Sequence, residues 1–187
     1  MSCTEEMEFQ TAAVELRFCA ACLAEPSAEA LEGLAEAEAW QHWLVEPLVE
    51  LKAMDLEVWQ GEHARLFVAP GLAPPFASAH REGMLNGAAA SAAEAYYVQQ
   101  GFVLSPGLPG DYLGSLLECE AWLLEGGRYQ DAAAFRQTLL ADWLPRFNEQ
   151  LQKQARLQFY RKLGERLVNL HGALAPPETG RTGAAAH

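Results

Sequence analysis

The chain has 187 residues, half of them apolar, and a formal net charge of −12 at neutral pH. That much apolar surface can fill a core and argues against general disorder. The negative balance argues against nucleic acid as a partner, since binding there means neutralising phosphates. The charge is also uneven: residues 1–62 carry 14 acidic side chains against Arg17 and Lys52, whereas residues 63–187 carry 11 of each sign. Besides solvating helix surfaces, such an acidic third attracts a basic partner and speeds its encounter.

The 33 Ala and 27 Leu, against 8 Val and no Ile, favour helices over strands. The expected fold is all-α, a bundle of about eight to ten helices in two lobes sharing a core. With no run of 18 apolar residues, stable membrane insertion is not expected. The acidic start, MSCTEEMEFQ, is unlike a signal peptide, and with four cysteines it points to the cytoplasm.

In chain order, Thr4 caps a helix reaching about Glu25, with Phe9, Ala13, Leu16, Ala20 and Leu23 on one face and Pro26 as its stop. Ser27 caps a short helix through Leu34. Trp40 to Trp43 reads as an aromatic helix facing the core, and Pro47 opens the next helix. Asp55 caps another, carrying Leu56, Trp59, His63, Leu66 and Phe67 at helical spacing. Pro70, Gly71, Pro74 and Pro75 then break the pattern with a loop that is stiff and apolar rather than polar. Ala88 to Gln100 is a helix ended by Gly101. GFVLSPGLPG, residues 101–110, is a second Pro/Gly break and the expected hinge. Asp111 caps an apolar helix through Leu124, closed by Gly126 and Gly127. Helices follow at about 131–142, from Pro145 onward, and up to Leu170, with Gly172 as the stop. The organisation is an acidic N-terminal lobe at 1–100, a hinge at 101–110, a C-terminal lobe at 111–172 and a disordered tail at 173–187.

No catalytic, metal or cofactor site is readable. Cys19 and Cys22 form a lone Cys-x-x-Cys in mid-helix, better suited to burial than to redox or zinc chemistry. The five histidines lack His-Glu-x-x-His and Glu-x-x-His spacing, and Glu118 and Glu120 fall on different helix faces. Neither glycine-rich phosphate loop occurs.

Glu62 to His80, EHARLFVAPGLAPPFASAH, resembles the signature of the TorD family of cytoplasmic molybdoenzyme chaperones, which includes the DmsD and NarJ types. That signature has an acid and an aromatic, Leu-Phe, a Gly/Pro loop, Pro-Pro-aromatic and a serine. Glu62, Leu66, Phe67, Pro70, Gly71, Pro74, Pro75, Phe76 and Ser78 fit it, while His63 and His80 stand where aromatics are usual. LPGDYLGSLLECEAWLLE is similar to the family's Pro-x-Asp-His-Leu motif through Pro109, Asp111 and Leu113, with Tyr112 in place of the histidine. A role needing an imidazole at that position is therefore not expected. Trp143 to Leu167 resembles the family's terminal helices.

The resemblance implies a non-enzymatic chaperone that binds the twin-arginine signal peptide, with or without the body, of a molybdenum-containing oxidoreductase. It would hold the peptide until cofactor insertion and then release it for export. The implied peptide-binding residues are Glu62, Leu66, Phe67, Pro74, Pro75, Phe76, Ser78, His80, Pro109, Asp111 and Tyr112. A basic, oily leader needs an apolar groove and acids, and a proline-set wall lowers the ordering cost of binding. Asp111 has two readings, an arginine partner or a simple N-cap; Leu66, Phe67 and Phe76 divide between groove and core. The resemblance also implies a monomer or a lobe-swapped homodimer. Guanine nucleotides, reported for some members, have no motif here. The alternatives are an acidic helical interaction module whose proline loop only connects lobes, and a small hydrolase or redox protein using Cys19 and Cys22 or the carboxylates.

Overall fold

The structure is a computed structural model that describes residues 3–174. The expected tail therefore falls almost wholly outside the described residues, as does the side chain of Thr4. Within them run α1 (Cys3–Cys22), α2 (Ala28–Ala37), α3 (Val45–Lys52), α4 (Leu56–Phe67), α5 (Ala77–Arg81), α6 (Ala88–Gln100), α7 (Leu113–Glu125), α8 (Tyr129–Leu139), α9 (Leu144–Gln154) and α10 (Gln158–Ala173). A 3-10 turn, His42–Leu44, precedes α3, and the fold is all-α as the composition requires.

The helix at the centre is α7. Leu113, Leu116, Leu117, Cys119, Ala121, Leu123 and Leu124 are all buried, so it is apolar on nearly every side, the pattern of a helix enclosed by others. Its main partner is α1, whose Ala12, Ala13, Leu16, Cys19 and Ala20 are buried. Small side chains on that stripe let the two helices approach closely. The buried apolar residues form one cluster with members on both sides of 101–110.

One charged residue sits on α7 inside this core. Glu120 is 0% exposed and accepts from Arg136 Nε of α8 at 2.6 Å, with His171 Nε2 of α10 at 3.6 Å. A second carboxylate, Glu62 on α4, ties the α9–α10 junction. It accepts from Arg65 Nε and Nη2 at 2.7 and 2.8 Å and from the Arg156 amide at 2.6 Å.

Local signals hold at several ends. Ser27 accepts from the Ala30 amide at 3.0 Å, and Gly101 takes the left-handed conformation that ends α6 (φ +77°). Asp55 stands at the start of α4, but its side chain makes no capping bond. The expected Trp40–Trp43 core helix is corrected: the segment is a turn and a 3-10 turn, and Trp40 is half exposed. Gln41 takes the buried place instead, bonding Glu15 at 2.8 Å and accepting from the Trp43 indole at 2.7 Å. The short helix α5 inside the proline stretch was not expected.

Replacing Arg136 with Met leaves the Glu120 carboxylate buried without its cation. The expected cost is about 3–5 kcal/mol, measured by urea denaturation; adding Glu120→Leu should recover most of it. For Glu62, burial works to raise the pKa, but Arg65 and Arg156 outweigh it and hold the carboxyl below the ordinary 4.5. A lowered folded value means that the stabilisation is present above the unfolded value and is lost as pH falls through the folded one. Stability should fall on acidification below about 4.5, and Glu62→Gln should lower stability at neutral pH while flattening that acid limb.

Candidate functional site

At the end of α4 the chain folds back over its own last turn. The Leu72 amide donates to the Arg65 carbonyl at 3.1 Å and the Ala73 amide to the Leu66 carbonyl at 2.8 Å. Only glycine fits at 71, where a Cβ would lie 2.5 Å from the Leu66 carbonyl oxygen. Pro70, Pro74 and Pro75 fix φ along the loop and aim it at the start of α7. There the Leu113 amide donates to Pro75 at 2.8 Å and the Ala77 amide to the Asp111 carbonyl at 3.1 Å. Phe76 and Tyr112 form an isolated antiparallel bridge, with ring centroids 5.6 Å apart.

The Asp111 carboxylate does not cap its own helix. The residue preceding α7 is Tyr112, in extended conformation, which carries Asp111 outside the helix and leaves α7 without a side-chain cap. Asp111 reaches instead to the first turn of α5, accepting from the Ser78 amide at 2.7 Å and from the Ser78 hydroxyl. It is 1% exposed. The sequence expectation of an N-cap on α7 is thereby corrected.

Two further bonds close the arrangement on α1. Tyr112 Oη donates to the Leu23 carbonyl at 3.0 Å, and His63 Nε2 lies 3.2 Å from the same oxygen. Because a carbonyl only accepts, His63 carries its proton on Nε2. Burial pushes the Tyr112 hydroxyl up to about 12 and lowers His63 below its ordinary value, so both are neutral donors at physiological pH.

These elements enclose an open cleft of about 970 Å³. Tyr112, Gly114, Ser115 and Glu118 of the α7 region form its floor. The C-terminal half of α1 from Arg17 to Glu25 makes one wall, and His63, Phe67, Val68, Ala69, Pro75 and Phe76 make the other. The fourth side is the 102–108 segment with Leu85. Phe102 packs between Tyr97 and Trp122, at 5.2 and 5.7 Å, while the Tyr97 hydroxyl donates to the Gly110 carbonyl at 2.7 Å. Between these anchors Val103 and Leu108 stand out in solvent; Val103 is 87% exposed. Val68 and Leu85 are likewise exposed at the rim, so the opening is ringed by large apolar side chains. Its charged residues are Arg17, Glu25 and Glu118.

Of the eleven residues singled out in the sequence, Phe67, Pro75, Phe76 and Tyr112 line this cleft. Leu66 is in the core and Glu62 is consumed by Arg65 and Arg156. Ser78 and Asp111 bond each other. Pro74 gives its carbonyl to His80 Nε2 at 2.8 Å, and the His80 ring stacks on Trp143 at 5.2 Å. Pro109 accepts from the Tyr112 amide at 3.2 Å. These seven shape the cleft from behind. The α1 wall was missed because its residues read as ordinary helix core. The 102–108 side carried a signal that sequence reasoning left unused, namely Val103, Leu104 and Leu108 in a Pro/Gly loop with no periodic partner.

Among the described residues no group of three or more His, Cys, Asp or Glu is arranged to hold a metal ion, and no helix is long and apolar enough to cross a membrane.

Comparison with known proteins agrees with this fold. The chain is 32% identical over 115 residues to the Tat proofreading chaperone DmsD of Salmonella paratyphi A (strain ATCC 9150 / SARB42). That match covers 58% of this chain and 54% of the relative, so it spans about half the relative's length. A crystal structure from Archaeoglobus fulgidus, of a protein ascribed to redox enzyme maturation, has the same fold. It superposes with a TM-score of 0.63 at 22% identity, over 86% of this chain and 93% of that one. Residues 20–155, most of the chain and nearly the whole cleft, match the family model described as nitrate reductase delta subunit, and the protein belongs to that family.

Proposed function

We propose that this protein is a chaperone whose cleft holds the twin-arginine export leader of a molybdenum-containing oxidoreductase subunit, without covalent chemistry, until the client is ready for export. The observation that carries the reading is the open cleft itself, with its ring of exposed apolar side chains and the carboxylates of Glu25 and Glu118 on its lining. A soluble protein rarely leaves Val68, Leu85, Val103 and Leu108 exposed together around a concavity unless something apolar covers them. A leader of this type joins a basic segment to an apolar one. The apolar part fits against Phe76, Val103 and Leu108, and the basic part meets Glu25 and Glu118. Family membership and the DmsD match support the reading. The prolines support it physically, because a wall set before binding avoids the entropy cost of ordering a loop. The acidic first third of the chain acts at longer range by steering a cationic peptide toward the cleft.

A synthetic peptide with two arginines ahead of an apolar run should bind with micromolar or tighter affinity in a fluorescence anisotropy titration. Val103→Asp, at a side chain too exposed to matter for folding, should weaken that binding by roughly tenfold and leave the melting temperature unchanged. Equal affinity of both proteins for the peptide would count against the cleft.

Thiol chemistry has no part in this reading. Burial pushes Cys19 and Cys119 up to about 12 and Cys22 well above its ordinary value, and all three side chains are buried. The thiolate is the reactive form. In a Cys3→Ser background the native protein should resist iodoacetamide at neutral pH and react fully once denatured. Rapid labelling of the native protein would return the cysteines to consideration.

A further inference from the structure

Beside the cleft α1 and α7 bring three charged side chains together, of which Arg17 and Glu118 line it and Glu125 lies just outside. Arg17 donates from Nε to Glu125 Oε1 at 2.9 Å and from Nη2 to Glu125 Oε2 at 2.7 Å, a two-point fork, while its Nη1 donates to Glu118. Glu118 and Glu125 are two turns apart on α7 and so share a face. None of the three is buried: the side-chain exposures are 41% for Arg17 and 37% for each glutamate. Ion pairs so exposed contribute little to stability, and α1 and α7 already pack through their apolar stripes. The trio is more than the fold requires.

Its charge is also unbalanced. Two carboxylates face one guanidinium. One turn before Glu118 lies Ser115, which lines the cleft and is 3% exposed. Its hydroxyl has no partner among the described residues. A buried hydroxyl left unpaired is uncommon, and a polar ligand group seated in the cleft would relieve it. Fork geometry, surplus negative charge and an unpaired hydroxyl at the cleft all describe a place for a guanidinium.

We propose that Glu118 and Glu125 form a guanidinium receptor which the chain's own Arg17 fills when no ligand is present, and that an arginine of the incoming peptide takes over this place. The inference rests on the peptide-binding reading of the cleft and adds the site and its selectivity. Arg17 then acts as a built-in competitor. A ligand must outbid a forked guanidinium already in position, which an arginine can do and a lysine, a point charge without the fork, does poorly. Discrimination of arginine from lysine comes from the fork that the two carboxylates accept, while Arg17 raises the threshold for either ligand by the same factor.

The test uses three fluorescent peptides that share an apolar run and differ in carrying Arg-Arg, Lys-Lys or Gln-Gln before it. Against the Arg-Arg peptide, Arg17→Gln should tighten binding by roughly fivefold, and the double variant Glu118→Gln/Glu125→Gln should weaken it by roughly tenfold. The double variant should leave the Gln-Gln peptide unaffected. Arg17→Gln should tighten the Lys-Lys peptide by a similar factor and leave the ratio between Arg-Arg and Lys-Lys unchanged, whereas the double glutamate variant should narrow it. Lys52→Gln, an equal change of charge at an exposed site, should have little effect. If Arg17→Gln melts early, Arg17→Lys, which keeps the charge and loses the fork, decides with the same expected sign. Unchanged or weaker binding by a well-folded Arg17 variant overturns the proposal, as does equal tightening by Lys52→Gln. If Arg-Arg and Gln-Gln bind alike and Val103→Asp weakens both, the receptor falls while the cleft stands. If no peptide binds, both fall.

Discussion

The cleft depends on one buried carboxylate that is shared between segments 33 residues apart in sequence. Asp111 accepts from the backbone and the hydroxyl of Ser78, and so fixes the first turn of α5 against the residue pair that leads into α7. These bonds reinforce a loop already tied to the end of α4 by the Leu72 and Ala73 amides and to α9 by the His80 ring on Trp143. Two backbone bonds, Leu113 to Pro75 and Ala77 to Asp111, run beside it. The proline loop is thereby fastened along its edge, with Ala73 and Ala77 in the core and Pro75 and Phe76 on the lining of the cleft.

With that edge fixed, the opposite wall is held by neutral donors. Leu23 ends the α1 side with a carbonyl that receives both Tyr112 and His63. A third device, Phe102 wedged between Tyr97 and Trp122, leaves the rest of the 102–108 segment outside as a rim. The concavity is thus built before any ligand arrives, and binding has only to desolvate it. Charge is divided by range. Most of the acidic residues in 1–62 lie away from the cleft and act through their summed field within a Debye length or so. In the proposed binding mode, recognition at contact distance falls to Glu118 and Glu125, with Glu25 further along the lining.

What could be read from the sequence follows from how far each interaction reaches. Ser27 at a cap and Gly101 at a helix end act on neighbours within four residues, so residue type alone placed them, and α6 was expected with the bounds it has. The apolar face of α1 was legible for the same reason. Asp111 was not, because its partner lies on another helix and the local rule for an acid before a helix gave it to α7. Trp40 to Trp43 misled through hydrophobicity, since the buried group there is the polar side chain of Gln41, satisfied by Glu15 and Trp43. The family signature did mark the cleft, yet most of its residues act behind the surface: Glu62, Ser78, His80 and Asp111 set the wall that Phe67, Pro75, Phe76 and Tyr112 present.

Tyr112 shows how a departure from the family pattern can keep a structural task while dropping a chemical one. A histidine here would titrate near neutrality, and its bond to α1 would change with pH. The tyrosine hydroxyl, raised to about 12 by burial, donates to Leu23 throughout the physiological range. His63, the other donor to that carbonyl, has its pKa lowered, so the folded protein prefers the neutral ring. Its contribution is lost only as pH falls below the ordinary 6.5. Both ties to the Leu23 carbonyl, one from the cleft floor and one from the opposite wall, therefore stay in one protonation state at neutral pH. On the proposed reading, control over what the cleft accepts passes from titration to displacement, because Arg17, Glu118 and Glu125 keep their places by ion pairing rather than by a proton that comes and goes.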